Sequence, residues 1–129
     1  MLAVDATFLV MNDLADANLL AAADLTSSKA SWNGDDAVGL ACRDELIDCV
    51  GEEGDDPGIG WDVCGESDAT RDHTLVRRAI VQEGNTNWTS SSGSNDKNCE
   101  WLVRSCHRMQ VVVDSFQLFF VCVHTGVRL

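Results

Sequence analysis

NGDDAVGLACRDELIDCV, residues Asn33–Val50, is the stretch on which the fold reading turns. Asn33-Gly34-Asp35-Asp36 is a strong turn signal, because Asn and Asp side chains bond their own backbone and Gly supplies positive φ. The apolar run Ala37–Cys42 follows and reads as a strand. Arg43-Asp44-Glu45 supplies a turn, and Leu46–Val50 returns antiparallel, so the stretch predicts a β-hairpin. In the return strand Leu46, Asp48 and Val50 share one face while Ile47 and Cys49 take the other, so the alternation is imperfect.

Outward from the hairpin, short apolar runs alternate with turn-rich links. Thr7–Met11 reads as a buried strand. Asn12-Asp13 offers capping oxygens, and Leu14, Ala17, Ala21 and Leu25 recur at helical spacing in an Ala- and Leu-rich segment, which predicts one short helix near the N-terminus. Gly51–Gly60 holds four Gly, the only Pro and four acids, and is a loop. Trp61–Val63 is an anchored loop segment. Thr74–Arg78 begins a strand that Ala79–Val81 extends, and Glu100–Val103 is a last short strand. Gly84–Lys97, with Trp88 inside it, is a polar connection. Short strands at this spacing predict an all-β sandwich or barrel.

The chain has 129 residues, enough for one domain, and a formal charge of −12. The charge is uneven. Residues 1–103 carry six basic and twenty acidic residues, net −14, whereas residues 104–129 carry three Arg and Asp114, net +2. An acidic body repels phosphate backbones and anionic membranes, so nucleic acid is not an expected partner of this chain alone. No signal peptide is visible. Val111–Val123 is apolar but interrupted by Asp114, Ser115 and Gln117, and is shorter than the roughly 20 residues of a transmembrane segment. Six Cys (42, 49, 64, 99, 106 and 122) lack zinc-site spacing and allow fifteen pairings; a Cys42–Cys49 bridge across the hairpin is geometrically open, as is packing of unpaired thiols.

Six pieces in order carry a resemblance: NGDDAVGL (Asn33–Leu40), LID (Leu46–Asp48), DPGIGWDV (Asp56–Val63), AT followed by HTLVRR (Ala69–Arg78), GNTNW (Gly84–Trp88) and EWLV (Glu100–Val103). The series resembles the lamin tail domain of bacterial and algal extracellular proteins, over about residues 5–103. The resemblance implies an immunoglobulin-like β-sandwich that lacks its first strands and leaves one sheet with an unprotected edge. Its core would take Trp61 or Trp101, Leu40, Leu46, Ile47, Leu75 and Val103. Residues 1–103 are thus expected to form an N-terminally truncated lamin tail-like domain, and 104–129 an unmatched tail. That tail is read as the product of intron read-through or an altered frame, the competing reading being a C-terminal strand that fills the missing edge.

The chemistry on offer is thin. Asp35, Asp36, Asp55, Asp56 and Asp62 are the calcium candidates, since Ca²⁺ takes roughly six to eight oxygens from flexible loops. No calcium-loop motif accompanies them, and turn capping accounts for several of them. His73 after Asp72 has no placed nucleophile, and its ring more plainly ties down the preceding loop. Asn87-Trp88-Thr89 is an N-glycosylation sequon. The four Trp are expected to anchor core and loops rather than form a ligand platform. With no catalytic constellation and no cofactor motif, the resemblance implies a non-catalytic interaction or targeting module of an extracellular or cell-surface protein, its partner an unknown protein or surface ligand. The alternative is a fragment of a secreted nuclease or phosphatase whose catalytic domain is absent from this chain.

Overall fold

The structure, a computed structural model, describes residues 8–105 and 119–120. The described residues are mostly short strands in three small sheets, with two short helices and no closed barrel, an all-β arrangement. β1 (Val10–Met11) pairs in parallel with β2 (Leu25–Thr26) across α1 (Ala17–Leu20). β3 (Val38–Cys42) and β4 (Glu45–Val50) form an antiparallel hairpin. β5 (His73–Arg77) is central to the third sheet, between β6 (Trp101–Ser105) and β7 (Phe119–Phe120); α2 (Trp88–Ser92) precedes β6.

The hairpin stands where its sequence places it. Its turn consists of Arg43 and Asp44, both at positive φ (51° and 66°). That is the backbone pattern of a type I′ connection, usually filled by Asn and Gly, so two ordinary side chains here accept strained conformations. Leu40 pairs with Asp48 and Ala41 with Leu46, so Ile47 bulges out of the ladder. The bulge explains the imperfect alternation. Asp48 and Val50 turn inward, whereas Leu40, Leu46 and Ile47 remain 41%, 46% and 42% exposed. These three were expected in the core. They lie outside it because the hairpin packs inward only through its base and carries no further strand among the described residues.

Four loop or helix residues, Trp61, Val63, Ala69 and Trp88, build most of the core instead. Val50, Trp61, Val63, Ala69, Leu75, Trp88 and Trp101 form one buried cluster, with Val103 half-buried against it. Trp88 sits between the other two rings, 6.2 Å from Trp61 edge-on and 6.3 Å from Trp101 at a tilt. Such pairs add about 0.5–1.5 kcal/mol beyond the area they bury. Trp88 reaches this position because Gly84–Lys97 is not wholly irregular: the Asn87 side chain accepts from Ser90 N at 2.8 Å and caps α2, which buries Trp88, Ser91 and Ser92. At Gly51, with φ +81°, a Cβ would lie 2.8 Å from the Trp61 indole nitrogen. Only Gly fits there.

Other expectations shift. The N-terminal helix is confined to Ala17–Leu20, capped by Asp16, and buries no residue; Leu25 lies in β2. With no packed face, little extends so short a helix. β5 ends at Arg77, and Ile80 is an exposed turn residue rather than part of the strand. β6 continues through Arg104 and Ser105 into the segment expected to be a separate tail. Val111–Val123 lies outside the described residues apart from Phe119 and Phe120, which pair with Val76 and Leu75 on the β5 edge. Cys106 and Cys122 also lie outside them.

Cys42 and Cys49 do not bridge, because the register sets Cys42 opposite Glu45 and Cys49 opposite Gly39. Cys64 and Cys99 are joined instead, tying the Trp61–Glu66 loop to the entry of β6 across 35 residues of sequence. Closing a loop of that size restricts the unfolded chain. Cys64→Ser or Cys99→Ser should therefore lower unfolding free energy by about 2–4 kcal/mol. Urea titration followed by tryptophan fluorescence, with and without reductant, checks this; the substituted chain should be insensitive to the reductant.

Candidate functional site

The centre of the molecule is charged. β5 alternates so that Leu75 and Arg77 face inward, and Arg77 is only 5% exposed. Its Nη2 donates to Asp48 Oδ1 on β4 and its Nη1 to Glu100 Oε2 just before β6. Nη1 also donates to Ser91 Oγ on α2 at 2.9 Å, and the guanidinium carbon lies 3.9 Å from the centre of the Trp101 ring. Trp101 Nε1 donates to the same Ser91 hydroxyl at 2.8 Å. Asn85 closes the ring of contacts: its backbone N donates to Asp48 Oδ1 and its Nδ2 to Glu100 Oε1. A buried guanidinium needs such company, since desolvation costs several kcal/mol unless donors and charge are both answered.

This constellation was missed in the sequence. Buried at 5% exposure, Arg77 has no open face for an external anion. Arg78 is held too, donating from Nε to Trp101 O and from Nη2 to Asp96 O. The available signal was the two-residue spacing of Leu75 and Arg77, which places an Arg on a core face. The Ser91 hydroxyl is engaged twice, accepting from both Arg77 and Trp101. The arrangement can hold two sheets together, since Asp48 lies on one and Arg77 on the other.

The residues singled out for chemistry are scattered. Asp36 accepts from Asn33 N, Asp55 from Asp56 N, Asp56 from Gly58 N at 2.8 Å and Asp62 from Asp68 N at 3.0 Å, while Asp35 sits half-buried in the bend after Gly34. Among the described residues no three His, Cys, Asp or Glu side chains gather to hold a metal ion, so the five calcium candidates are not brought together. His73 Nδ1 lies 2.7 Å from Arg71 O and its Nε2 3.9 Å from Glu66, so the ring does tie down the loop before β5. Asn87, the sequon residue, is exposed while its Oδ1 caps α2.

Cys49 Sγ points to Asn85 O at 3.6 Å beside the ion cluster. Burial pushes its thiol ionisation up; Asp48 adds to the shift and Arg77 opposes it. A raised pKa keeps the thiol protonated and unreactive. Cys42, by contrast, is exposed at the hairpin tip.

The distal half of the hairpin is open to solvent. A groove of about 1050 Å³ runs between β3–β4 and the start of α2, floored by Ala37, Val38, Leu46 and Trp88, with Glu52 and Glu53 along it. It adjoins a shallower one of about 770 Å³ that shares Glu52 and adds Asp55 and Asp62. Among the described residues no Lys, Arg or His lines either. Among the described residues no helix is long and apolar enough to cross a membrane.

Two outcomes follow. Arg77→Met should cost about 3–5 kcal/mol, because it leaves Asp48 buried without its cation, and adding Asp48→Asn should recover part of the loss. Denaturant titration of the single and double variants checks this. For the thiols, alkylation followed by mass spectrometry should modify Cys42 well before Cys49. Because the folded thiol ionises at higher pH than the unfolded one, stability should fall as pH climbs from the ordinary thiol range through the raised value, and Cys49→Ser should remove that slope.

Comparison of the chain with protein-family profiles, curated proteins and solved structures finds no match.

Proposed function

We propose that this chain is a non-catalytic interaction module, an immunoglobulin-like β-sandwich of the lamin tail type, carried by an extracellular or surface protein. One observation carries the reading: the buried ionic groups among the described residues are engaged with one another, while Leu40, Leu46 and Ile47 of β3–β4 face solvent. Chemistry needs a reactive group with a place for substrate beside it, whereas binding needs exposed apolar surface with polar groups at its margin. The hairpin has the second property. The sandwich reading is supported by Asp48 and Val50 on one sheet meeting Leu75, Arg77 and Trp101 on the other across a shared core. The Cys64–Cys99 disulfide supports an oxidising compartment, where such bonds persist.

The test is direct. Purified chain incubated with chromogenic phosphodiester and phosphomonoester substrates, with and without divalent cations, should give no turnover above the blank. Turnover that a single substitution removes would overturn the reading and favour a hydrolase.

A further inference from the structure

The two edges of the hairpin are treated differently by the fold. The outer edge of β4 is covered: Gly84 packs so closely on the Ile47 carbonyl oxygen that a Cβ would collide with it, and Asn85 sits against Cys49. The outer edge of β3 has no such cover. Among the described residues its backbone bonds to β4 alone. Val38 and Gly39 on that strand and Ala37 just before it line the larger groove, and Leu46 completes its apolar floor.

An uncovered strand beside an apolar groove takes an added strand readily, with main-chain bonds supplying affinity and the groove supplying side-chain selection. The bulge after Leu40 breaks the ladder, so only Val38–Leu40 offers a regular edge and the segment that pairs there is short. Charge then decides the partner. Glu52 and Glu53 line the groove, Asp44 and Glu45 flank the hairpin turn, and Arg43 at the tip is the single cation on the hairpin. A second copy of this chain would bring the same acids against these, each copy carrying −12. A phosphorylated or acidic ligand meets the same repulsion.

Resting on the interaction-module reading above, we infer that the β3 edge binds a short, extended, cationic peptide with apolar side chains alternating between Lys or Arg. The apolar side chains enter the groove and the cations meet Glu52 and Glu53. Electrostatic attraction at such an exposed rim is screened by salt and governs selectivity more than raw affinity.

The full chain is titrated into three fluorescent peptides: alternating lysine and valine, alternating glutamate and valine, and alternating lysine and glycine. Anisotropy should show binding of the lysine–valine peptide, weakening with added salt, and at least tenfold weaker binding of the other two. Glu52→Lys with Glu53→Lys, both exposed and outside the core, should weaken the lysine–valine peptide about fivefold or more at low salt. Leu46→Lys should do the same by loss of the apolar floor, and Ile80→Lys, exposed elsewhere, should leave binding unchanged. Circular dichroism of each variant establishes that it is folded.

Three outcomes overturn the inference. Equal binding of the glutamate–valine peptide would mean an apolar site without charge selection, and the module reading would stand. Self-association that Leu46→Lys abolishes would make a second copy the occupant. Binding of none of the peptides, with the variants folded, would remove the cationic-peptide site. Turnover in the hydrolysis assay, by contrast, bears on the module reading alone.

Discussion

The Arg77 guanidinium is the constraint on which the rest of the structure depends. A fully buried cation is tolerable only when its donors and its charge are both answered at short range. Meeting that requirement draws in Asp48 from β4, Glu100 from the entry of β6, Ser91 from α2 and the face of Trp101. These partners come from β4, from α2 and from Glu100–Trp101 at the entry of β6, so one side chain sets the spacing of two sheets and a helix. The Asn85 backbone N donates to the same Asp48 oxygen that Arg77 uses and its amide to the other oxygen of Glu100, which is why the Gly84–Asn85 turn lies against β4. The absence of a side chain at Gly84 is what permits that approach.

Around this polar centre the apolar core is assembled largely from residues outside regular strands. Trp61, Val63 and Ala69 belong to the long connection between β4 and β5, and Trp88 to a helix of little more than one turn. Such segments have few ladder bonds of their own, so they need side-chain anchors and cross-links. Trp61 N is held by the Thr70 hydroxyl at 2.7 Å, the same hydroxyl donates to Gly34 O at 2.6 Å, and Cys64–Cys99 clamps the loop from the far side. The tryptophans and the disulfide do for this connection what strand pairing does elsewhere.

The elements visible in the sequence were those with local causes. The hairpin at Asn33–Val50, the loop at Gly51–Gly60 and the strands beginning near Thr74 and Trp101 follow from turn chemistry and β-forming runs. The helix near the N-terminus was visible in type but not in length, because Ala and Leu spacing does not reveal that nothing packs on it. The core assignment failed at Leu40, Leu46 and Ile47, since exposure there depends on which strand lies alongside, a non-local fact. α2 was hidden in a Ser- and Asn-rich stretch whose helical turn rests on one capping side chain. The ion cluster was hidden for a similar reason: Asp48, Arg77, Ser91 and Glu100 are far apart in sequence and ordinary as types. The five acids proposed for calcium were legible as turn residues, and four of them bond backbone N–H groups of their own loops.

The contrast between the two ends of β4 gives the hairpin its character. At its C-terminal end Asp48, Cys49 and Val50 are locked into the ion cluster and the core. At the other end Leu46 and Ile47 stand in solvent beside a two-residue turn in a strained conformation. Stability is thus graded along one strand, and the distal half opens at lower free energy than the base. A strand that pairs along Val38–Leu40 and covers Leu46 would bind the ordered hairpin and not the opened one, and would stabilise it with the logarithm of its concentration over its dissociation constant. Arg77 meanwhile keeps the base of the same strand fixed through bonds that lie wholly within the chain.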